Sequence, residues 1–247
     1  MKKVILFSMV LSASCLTSPA KAAISVDVYR DGYIEDFTRS QVVPPDGIAD
    51  RISDTNALLA SRGEFFDQFN AFNVDSHAIM TFDVSFYSGQ NLLSAFLTGY
   101  GTRVDNRGSL DPISGEFYLY SGDGLVGLDD FNVPGDFLGS RSFQMNSAGF
   151  NLDPFQVDVT SSLQDLLDSS SSFAEFRVES ESASVFINAG ETDPSTFFSV
   201  DTRWPGPRLV LEFDQSATAV PEPATILMLG GGLLGGFFRK RKQALVK

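Results

Sequence analysis

Acidic side chains are the residues of this 247-residue sequence that could most readily do chemistry. Between Ala23 and Ala219 there are 30 acidic residues, ten arginines and no lysine. Two carboxyl groups about 5 to 9.5 Å apart can hydrolyse a glycosidic bond. With so many acids some such pair is unavoidable. A carboxyl group could serve as the catalytic acid only if an apolar environment raised its pKa. The same negative charge repels phosphate, so we expect no nucleic-acid partner.

One acidic stretch near the middle of the chain is a candidate calcium loop. Residues 121–130 read SGDGLVGLDD and match the second half of an EF-type calcium loop, with Asp123 and Asp130 at liganding positions. Leu119 would fill the first liganding position, which excludes a true EF-hand because leucine has no side-chain oxygen. Two interpretations stay open: a looser calcium site of Asp123, Asp129, Asp130 and backbone carbonyls, and an ordinary Asp-Gly turn. Calcium is the one candidate cofactor.

Other catalytic and cofactor motifs are missing from the sequence. His77 is the only histidine, no Gly-x-Ser-x-Gly sequence accompanies it, and Cys15 is the only cysteine. Zinc sites need several His or Cys ligands, and there is neither a phosphate-binding loop nor a dinucleotide fingerprint. We expect no catalytic residue and a structural role for His77. The leading interpretation is a non-enzymatic protein, and the alternative is a polysaccharide-modifying enzyme that uses paired carboxylates.

The N-terminus has the layout of a secretory signal peptide over residues 1–22. Two lysines precede an apolar run, and Ala20 and Ala22 form an Ala-x-Ala cleavage site. Lipidation of Cys15 is the alternative, although the leucine-type residue usual three positions earlier is absent. Cleavage after Ala22 leaves a mature chain without cysteine, so the exported domain must be stable without disulfides.

The C-terminus combines a proline-containing box, an apolar run and a basic cluster. Pro221-Glu222-Pro223 precedes fifteen uncharged residues, 224–238. The basic cluster is Arg239, Lys240, Arg241 and Lys242. As a helix the apolar run would be about 22 Å long, which is short against a hydrocarbon core of about 30 Å. The sequence therefore predicts a single transmembrane helix that stops in the membrane only temporarily, with its basic end inside the cell.

This tail resembles the PEP-CTERM sorting signal of Gram-negative, exopolysaccharide-producing bacteria. The resemblance implies that Pro221, Glu222 and Pro223 are recognised by an exosortase, a membrane-embedded transpeptidase-like enzyme that removes the tail. It also implies a precursor held transiently in the inner membrane and a mature protein at the cell surface or in the exopolysaccharide matrix. The alternative is a permanent anchor whose glycines, spaced four apart, let helices pack closely.

Between the two targeting segments, short apolar alternations are separated by turn residues. Strands are predicted over residues 24–29, 78–84, 92–100, 116–120, 155–159, 173–179, 183–188, 197–200 and 209–213. A capping box of Ser161 and Gln164 predicts one short helix. Asp31-Gly32 is interpreted as a turn, residues 38–76 as a long irregular stretch and residues 56–60 as a short helical turn.

These elements predict an all-β protein, an antiparallel β-sandwich of jelly-roll type with one short helix. The expected organisation is a signal peptide (1–22), the sandwich domain (23–214), a linker (215–219), the sorting and anchor segment (220–242) and a cytoplasmic tail (243–247).

The sandwich region resembles DNRLRE-type surface domains, which are jelly rolls related to carbohydrate-binding modules. Residues 78–97, 155–167 and 207–213 carry the resemblance, while the motif that names that family is absent. The resemblance implies a surface domain with a glycan, such as exopolysaccharide, as its candidate ligand.

Overall fold

The structure is a computed structural model of the protein. It describes residues 23–38, 44–53, 57–66, 71–103, 111–144, 152–181, 184–189 and 205–214. The predicted signal peptide, linker, sorting segment and strand at 197–200 lie outside these residues.

The described part of the chain contains twelve strands and one α-helix. The strands are β1 (Ile24–Asp27), β2 (Arg30–Thr38), β3 (Arg51–Ser53), β4 (Ala57–Phe66), β5 (Ala71–Asp83), β6 (Leu92–Arg103), β7 (Ile113–Gly122), β8 (Asp136–Phe143), β9 (Asp153–Asp158), β10 (Phe173–Ser180), β11 (Ser184–Asn188) and β12 (Arg208–Phe213). Helix α1 is Thr160–Asp168, and two short 3-10 helices cover Ser85–Tyr87 and Leu128–Asn132.

The strands pair in an antiparallel manner, which confirms the predicted all-β sandwich class. One hydrogen-bonded path runs β1-β12-β6-β11-β4-β5-β10-β7-β8. Strands β2 and β3 attach beside β5, and β9 attaches beside β6. The inward side chains of β5, β10 and β7 share one core with those of β6, β9 and β12, so the path closes over itself as two layers.

Period-two alternation decides which side chains enter this core. Met80 and Phe82 of β5 and the following Val84 are fully or almost fully buried, as their shared face predicts. Phe82 meets Phe176 of β10 edge to face, with ring centroids 5.5 Å apart. The facing layer contributes Leu97, Val157, Leu209 and Leu211, and α1 contributes Leu163, Leu166 and Leu167.

Three local predictions are wrong. Residues 56–60 do not form a helical turn but lie largely in β4, whose Leu58 and Ala60 alternate into the core. Asp31-Gly32 lies inside β2 and pairs with β5. The stretch predicted as irregular, 38–76, contains β3, β4 and the first part of β5. In each case burial against a neighbouring strand overrides the local turn and helix signals.

The short helix is confirmed, but its predicted capping box is wrong. Val159 is the N-cap residue, and among the described residues no side chain caps the helix; just before it, the Asp158 carboxylate accepts from the Thr160 N–H at 3.0 Å and from the Thr160 hydroxyl at 2.7 Å. Gln164 turns away from the helix start, because its Nε2 donates to the Gln90 carbonyl and its Oε1 accepts from the Leu92 N–H. Gln164 therefore ties α1 to the connection between β5 and β6.

Candidate functional site

The residues predicted to direct export and sorting lie outside the described structure. They are Ala20 and Ala22 of the cleavage site, Pro221, Glu222 and Pro223 of the box, and Arg239, Lys240, Arg241 and Lys242 of the basic cluster. Within the ranges that the structure describes, no helix has the length and apolar character needed to cross a membrane.

The three aspartates predicted to hold calcium have different surroundings. Asp123 is exposed and accepts the N–H of Leu125 at 2.8 Å, while Asp129 is exposed as well. Asp130 is only 8% exposed, and its carboxylate accepts the N–H of Gly127 at 2.8 Å. Among the described residues, no three acidic, His or Cys side chains form a group that could hold a metal ion. The structure thus does not gather the three carboxylates into one site.

Residues 123–133, which we call the cover segment, lie across the outer face of β2, β5, β10 and β7. Phe131 of this segment is buried against Ile34 and Ile79, where it forms a second small apolar cluster. Its ring stacks on His77 with centroids 4.1 Å apart and planes 9° apart. His77 Nδ1 lies 2.9 Å from the Phe131 carbonyl oxygen, which can only accept, so Nδ1 is the donor. His77 therefore anchors the cover segment.

Two carboxyl groups face each other where the cover segment meets the sheet. Glu175 of β10 is fully buried, and its Oε1 accepts the N–H of Gly124 at 2.9 Å. Asp130 comes within hydrogen-bonding reach of Glu175 from the cover segment. Tyr120 of β7 is paired with Glu175 in the strand register and faces both carboxyls. We call Glu175, Asp130 and Tyr120 the carboxyl cluster.

Burial and like charge both oppose ionisation within the carboxyl cluster. Burial is the larger cause and, with the negative charge of Asp130, raises the pKa of Glu175 from 4.5 to about 7. Burial likewise raises the pKa of Asp130 and that of Tyr120. Arg177 lies nearby, but its Nε donates to Glu179 at 2.8 Å and its Nη1 to a cover-segment carbonyl at 2.7 Å. These two hydrogen bonds of Arg177 therefore go to acceptors other than the carboxyl groups of Glu175 and Asp130.

Two glycines allow this close approach. A Cβ on Gly122 would lie 1.8 Å from the carboxyl carbon of Glu175, so the carboxyl packs directly on the backbone of β7. Gly124 has φ +85°, and a Cβ there would also meet the Phe173 ring at 2.7 Å. A side chain at either position would displace Glu175 or the start of the cover segment.

The sequence did not single out Glu175 as a candidate site residue, because strand alternation gives the face of a side chain but not what covers that face. Along β10, Glu175, Arg177 and Glu179 alternate with apolar residues, which places them correctly on the face away from the core. That alternation predicts a solvent-exposed face. The burial comes from the cover segment, whose position follows from contacts distant in sequence.

An open groove lies on the outer face of β1, β12, β6 and β9. The strand register places Thr98 between Arg208 and Gln156, with Tyr100 two residues further along β6. The Thr98 hydroxyl donates to the Arg208 carbonyl oxygen at 3.2 Å, and Arg208 Nε pairs with Asp27 at 3.0 Å. We call this region, which Thr98, Tyr100, Gln156 and Arg208 line, the outer groove; its volume is about 540 Å³.

The outer groove has the size and the mixed lining of a small-molecule site. Tyr100 is partly exposed and offers an amphipathic ring. Gln156 can both donate and accept hydrogen bonds, and the Arg208 guanidinium is a donor. Such a set suits a ligand that has one apolar face and several hydroxyl groups at its edge.

Comparison with known proteins concerns the tail of the chain. The family described as the PEP-CTERM protein-sorting motif matches residues 219–242. This match confirms the resemblance seen in the Pro-Glu-Pro box, the apolar run and the basic cluster, and it implies an exported protein that an exosortase processes. No curated protein matches the chain.

Proposed function

We propose that this protein is a non-enzymatic exported protein that an exosortase releases from its membrane tail to the cell surface or the exopolysaccharide matrix. The observation that carries the proposal is the sorting motif at residues 219–242. The charge distribution supports it, since lysine occurs only in the two targeting ends and the domain between them is strongly acidic. An acidic domain of this kind stays soluble outside the membrane.

The first and last strands of the domain pair with each other, and this arrangement is compatible with cleavage at both ends of the chain. Ile24 of β1 pairs with Leu211 of β12, and Asp27 pairs with Arg208. Predicted signal-peptide cleavage after Ala22 therefore falls just before β1, and the tail begins after β12. Both cuts spare the hydrogen-bonded sheet, so the processed domain keeps every strand that the structure describes.

We further propose that the domain binds glycan through the outer groove. The apolar face of a sugar ring can pack on the Tyr100 ring while its hydroxyl groups bond to Gln156, Arg208 and Thr98. Phe96 lies on the same face of β6, four residues before Tyr100 and about 13 Å away along the strand. Two aromatic side chains at that separation could contact successive parts of an extended polysaccharide.

The test is a glycan array probed with the exported protein, with and without calcium. Wild-type protein is expected to bind a subset of glycans, and Tyr100→Ala should reduce that binding about tenfold or more, since aromatic contacts dominate such sites. Tyr29→Ala is the matched control, because Tyr29 is 53% exposed and lies outside the outer groove. Equal glycan binding by the Tyr100→Ala and Tyr29→Ala proteins would show that the outer groove is not the binding site. If wild-type protein bound no glycan, the proposal of a glycan ligand would be wrong.

A polysaccharide-modifying enzyme is the second candidate, and the facing carboxyls of Glu175 and Asp130 are the observation that favours it. Their unequal environments are what an acid and base pair requires. However, Glu175 is fully buried, so a polysaccharide could reach it only after the cover segment moves. Release of new reducing ends from exopolysaccharide by wild type but not by Glu175→Gln protein would favour the enzyme over the binding protein.

A further inference from the structure

The cover segment is fastened to the sheet at a small number of polar points. The Gly124 N–H donates to Glu175, and the Val133 carbonyl accepts from Arg177. The Phe131 carbonyl accepts from His77. The fourth point is the approach of Asp130 to Glu175, where two acids meet. Of these four points, this is the one at which a carboxyl group must supply the donor.

The charged and titratable groups around Glu175 are mostly acidic. They are Asp123, Asp129 and Asp130 of the cover segment, Tyr120 of β7, Arg177 of β10 and, beyond the uncharged Thr81 of β5, Arg30 of β2. Arg177 donates to Glu179 and to carbonyl oxygens, and Arg30 lies over the Tyr29 ring. Neither arginine forms an ion pair with Glu175 in the described structure.

A single proton resolves this arrangement. If both acids are ionised, neither can donate to the other, and in the structure Glu175 Oε2 is buried without a hydrogen-bond partner among the described residues. The Tyr120 hydroxyl, which has no hydrogen-bond partner among those residues either, has one proton and can donate to only one of the two carboxylates at a time. If Glu175 is protonated, its Oε2 can donate to the Asp130 carboxylate while its Oε1 still accepts from Gly124. Glu175 and Asp130 are then joined by one hydrogen bond to a charged acceptor, and the repulsion between two carboxylates is absent.

We propose that Glu175 and Asp130 share one proton and that this proton fastens the cover segment to the sheet. Loss of the proton leaves two buried carboxylates whose repulsion and desolvation drive the segment outward. The outward movement uncovers the polar sheet face that includes His77 and Arg177. The opening of this face is thereby linked to the pH outside the cell, a property that goes beyond sorting and glycan binding.

Hydrogen exchange of the exported protein tests this proposal. Protection factors, corrected for the intrinsic pH dependence of exchange, are measured for residues 123–133 at about pH 5.5 and about pH 8.5. We expect protection of the cover segment to fall by about tenfold or more at the higher pH, while the core strand β6 stays protected. Equal protection of the segment at the two pH values would overturn the proposal.

Matched variants identify the group that titrates. Glu175→Gln keeps the shape and can donate to Asp130 at any pH, so its cover segment should stay protected at about pH 8.5. Glu116→Gln, on the neighbouring strand β7, should keep the wild-type pH dependence. If Glu175→Gln does not fold, Asp130→Asn serves the same purpose from the other side of the pair. A pH response in both cluster variants equal to that of wild type would contradict the assignment.

A third experiment distinguishes a shared proton from a bound cation as the link between Glu175 and Asp130. Wild-type protein at about pH 8.5 is measured once with calcium and once with chelator. The proposal expects the same low protection in both samples. Protection restored by calcium would overturn it in favour of a bound cation between the two carboxyls.

Discussion

Burial and the neighbouring acids raise the pKa of Glu175 from 4.5 to about 7, and this makes the stability of the domain depend on pH. Because the folded state binds the proton more tightly than the unfolded chain, the contribution of Glu175 is complete below about pH 4.5. It is lost progressively as the pH rises to about 7. A change of this size corresponds to about 3 kcal/mol as an upper limit.

We therefore expect the free energy of unfolding to fall by up to about 3 kcal/mol between about pH 5 and about pH 8. Glu175→Gln should largely remove this slope, since glutamine has no proton to lose. Denaturant titrations of both proteins across this range measure the effect. A wild-type free energy that stays constant or rises towards pH 8 would contradict the account of this carboxyl.

Asp75 acts in the opposite direction at low pH. Although burial opposes its ionisation, the adjacent His77 ring, whose Nε2 lies 3.4 Å from Asp75 Oδ1, and two hydrogen bonds from Arg62 hold the pKa of Asp75 below 3.8. Its stabilising contribution is present above that pH and is lost on further acidification. Together with Glu175, it places the expected stability maximum in mildly acidic solution, and the same titrations extended to lower pH locate that maximum.

The strands β5 and β12 carry the most direct test of the core. Phe82 and Leu211 are completely buried and belong to the same apolar cluster. Phe82→Ala should lower the free energy of unfolding by about 3 to 5 kcal/mol, and Leu211→Ala by about 2 to 5 kcal/mol, because each leaves a cavity. Denaturant unfolding of each variant supplies the values.

Asp83 is the control for this series, because it follows Phe82 but faces the other side of β5. Its carboxylate accepts hydrogen bonds from the N–H and the hydroxyl of Ser85, and an asparagine oxygen can replace it as the acceptor. Asp83→Asn should therefore cost much less than either core variant. If the Asp83 variant were the least stable of the three, the assignment of faces on β5 would be wrong.

Sequence patterns predicted the elements whose burial follows local alternation. Met80, Phe82 and Val84 repeat with period two, and the leucines of α1 repeat with helical spacing, so the second half of β5 and α1 were predicted correctly. The strand β4 was missed because its core side chains, Leu58 and Ala60, gave no more than a helix-like run of small apolar residues. The strand β8 was missed because most of its side chains are exposed.

The outer groove and the carboxyl cluster could not be predicted because distant segments build them. Thr98, Gln156 and Arg208 come together only when β6 lies between β9 and β12. The partners Asp130 and Glu175 are likewise 45 positions apart in the sequence. The sorting signal was predictable because a linear order of residues defines it. The molecule therefore reveals its export route from sequence, and its candidate binding surfaces only from the fold.

We propose that both ends of the chain are removed, and a triple substitution tests the recognition element at the C-terminal end. Replacement of Pro221, Glu222 and Pro223 together by alanine should leave an uncleaved protein in the inner membrane. Cell fractionation followed by detection of the domain measures this outcome. Replacement of Gln215, Ser216 and Thr218, three linker residues, by alanine is the control and should still be processed. Normal release of the triple variant would remove the box from the recognition step.

Mass spectrometry of the wild-type protein recovered from the cell surface is the most direct measurement of the central claim. The account predicts a mature chain that starts at Ala23 and lacks the apolar run and the basic cluster, because an exosortase has removed the sorting segment. Recovery of surface protein that still contains residues 230–247 would contradict the account and would establish a permanent anchor instead.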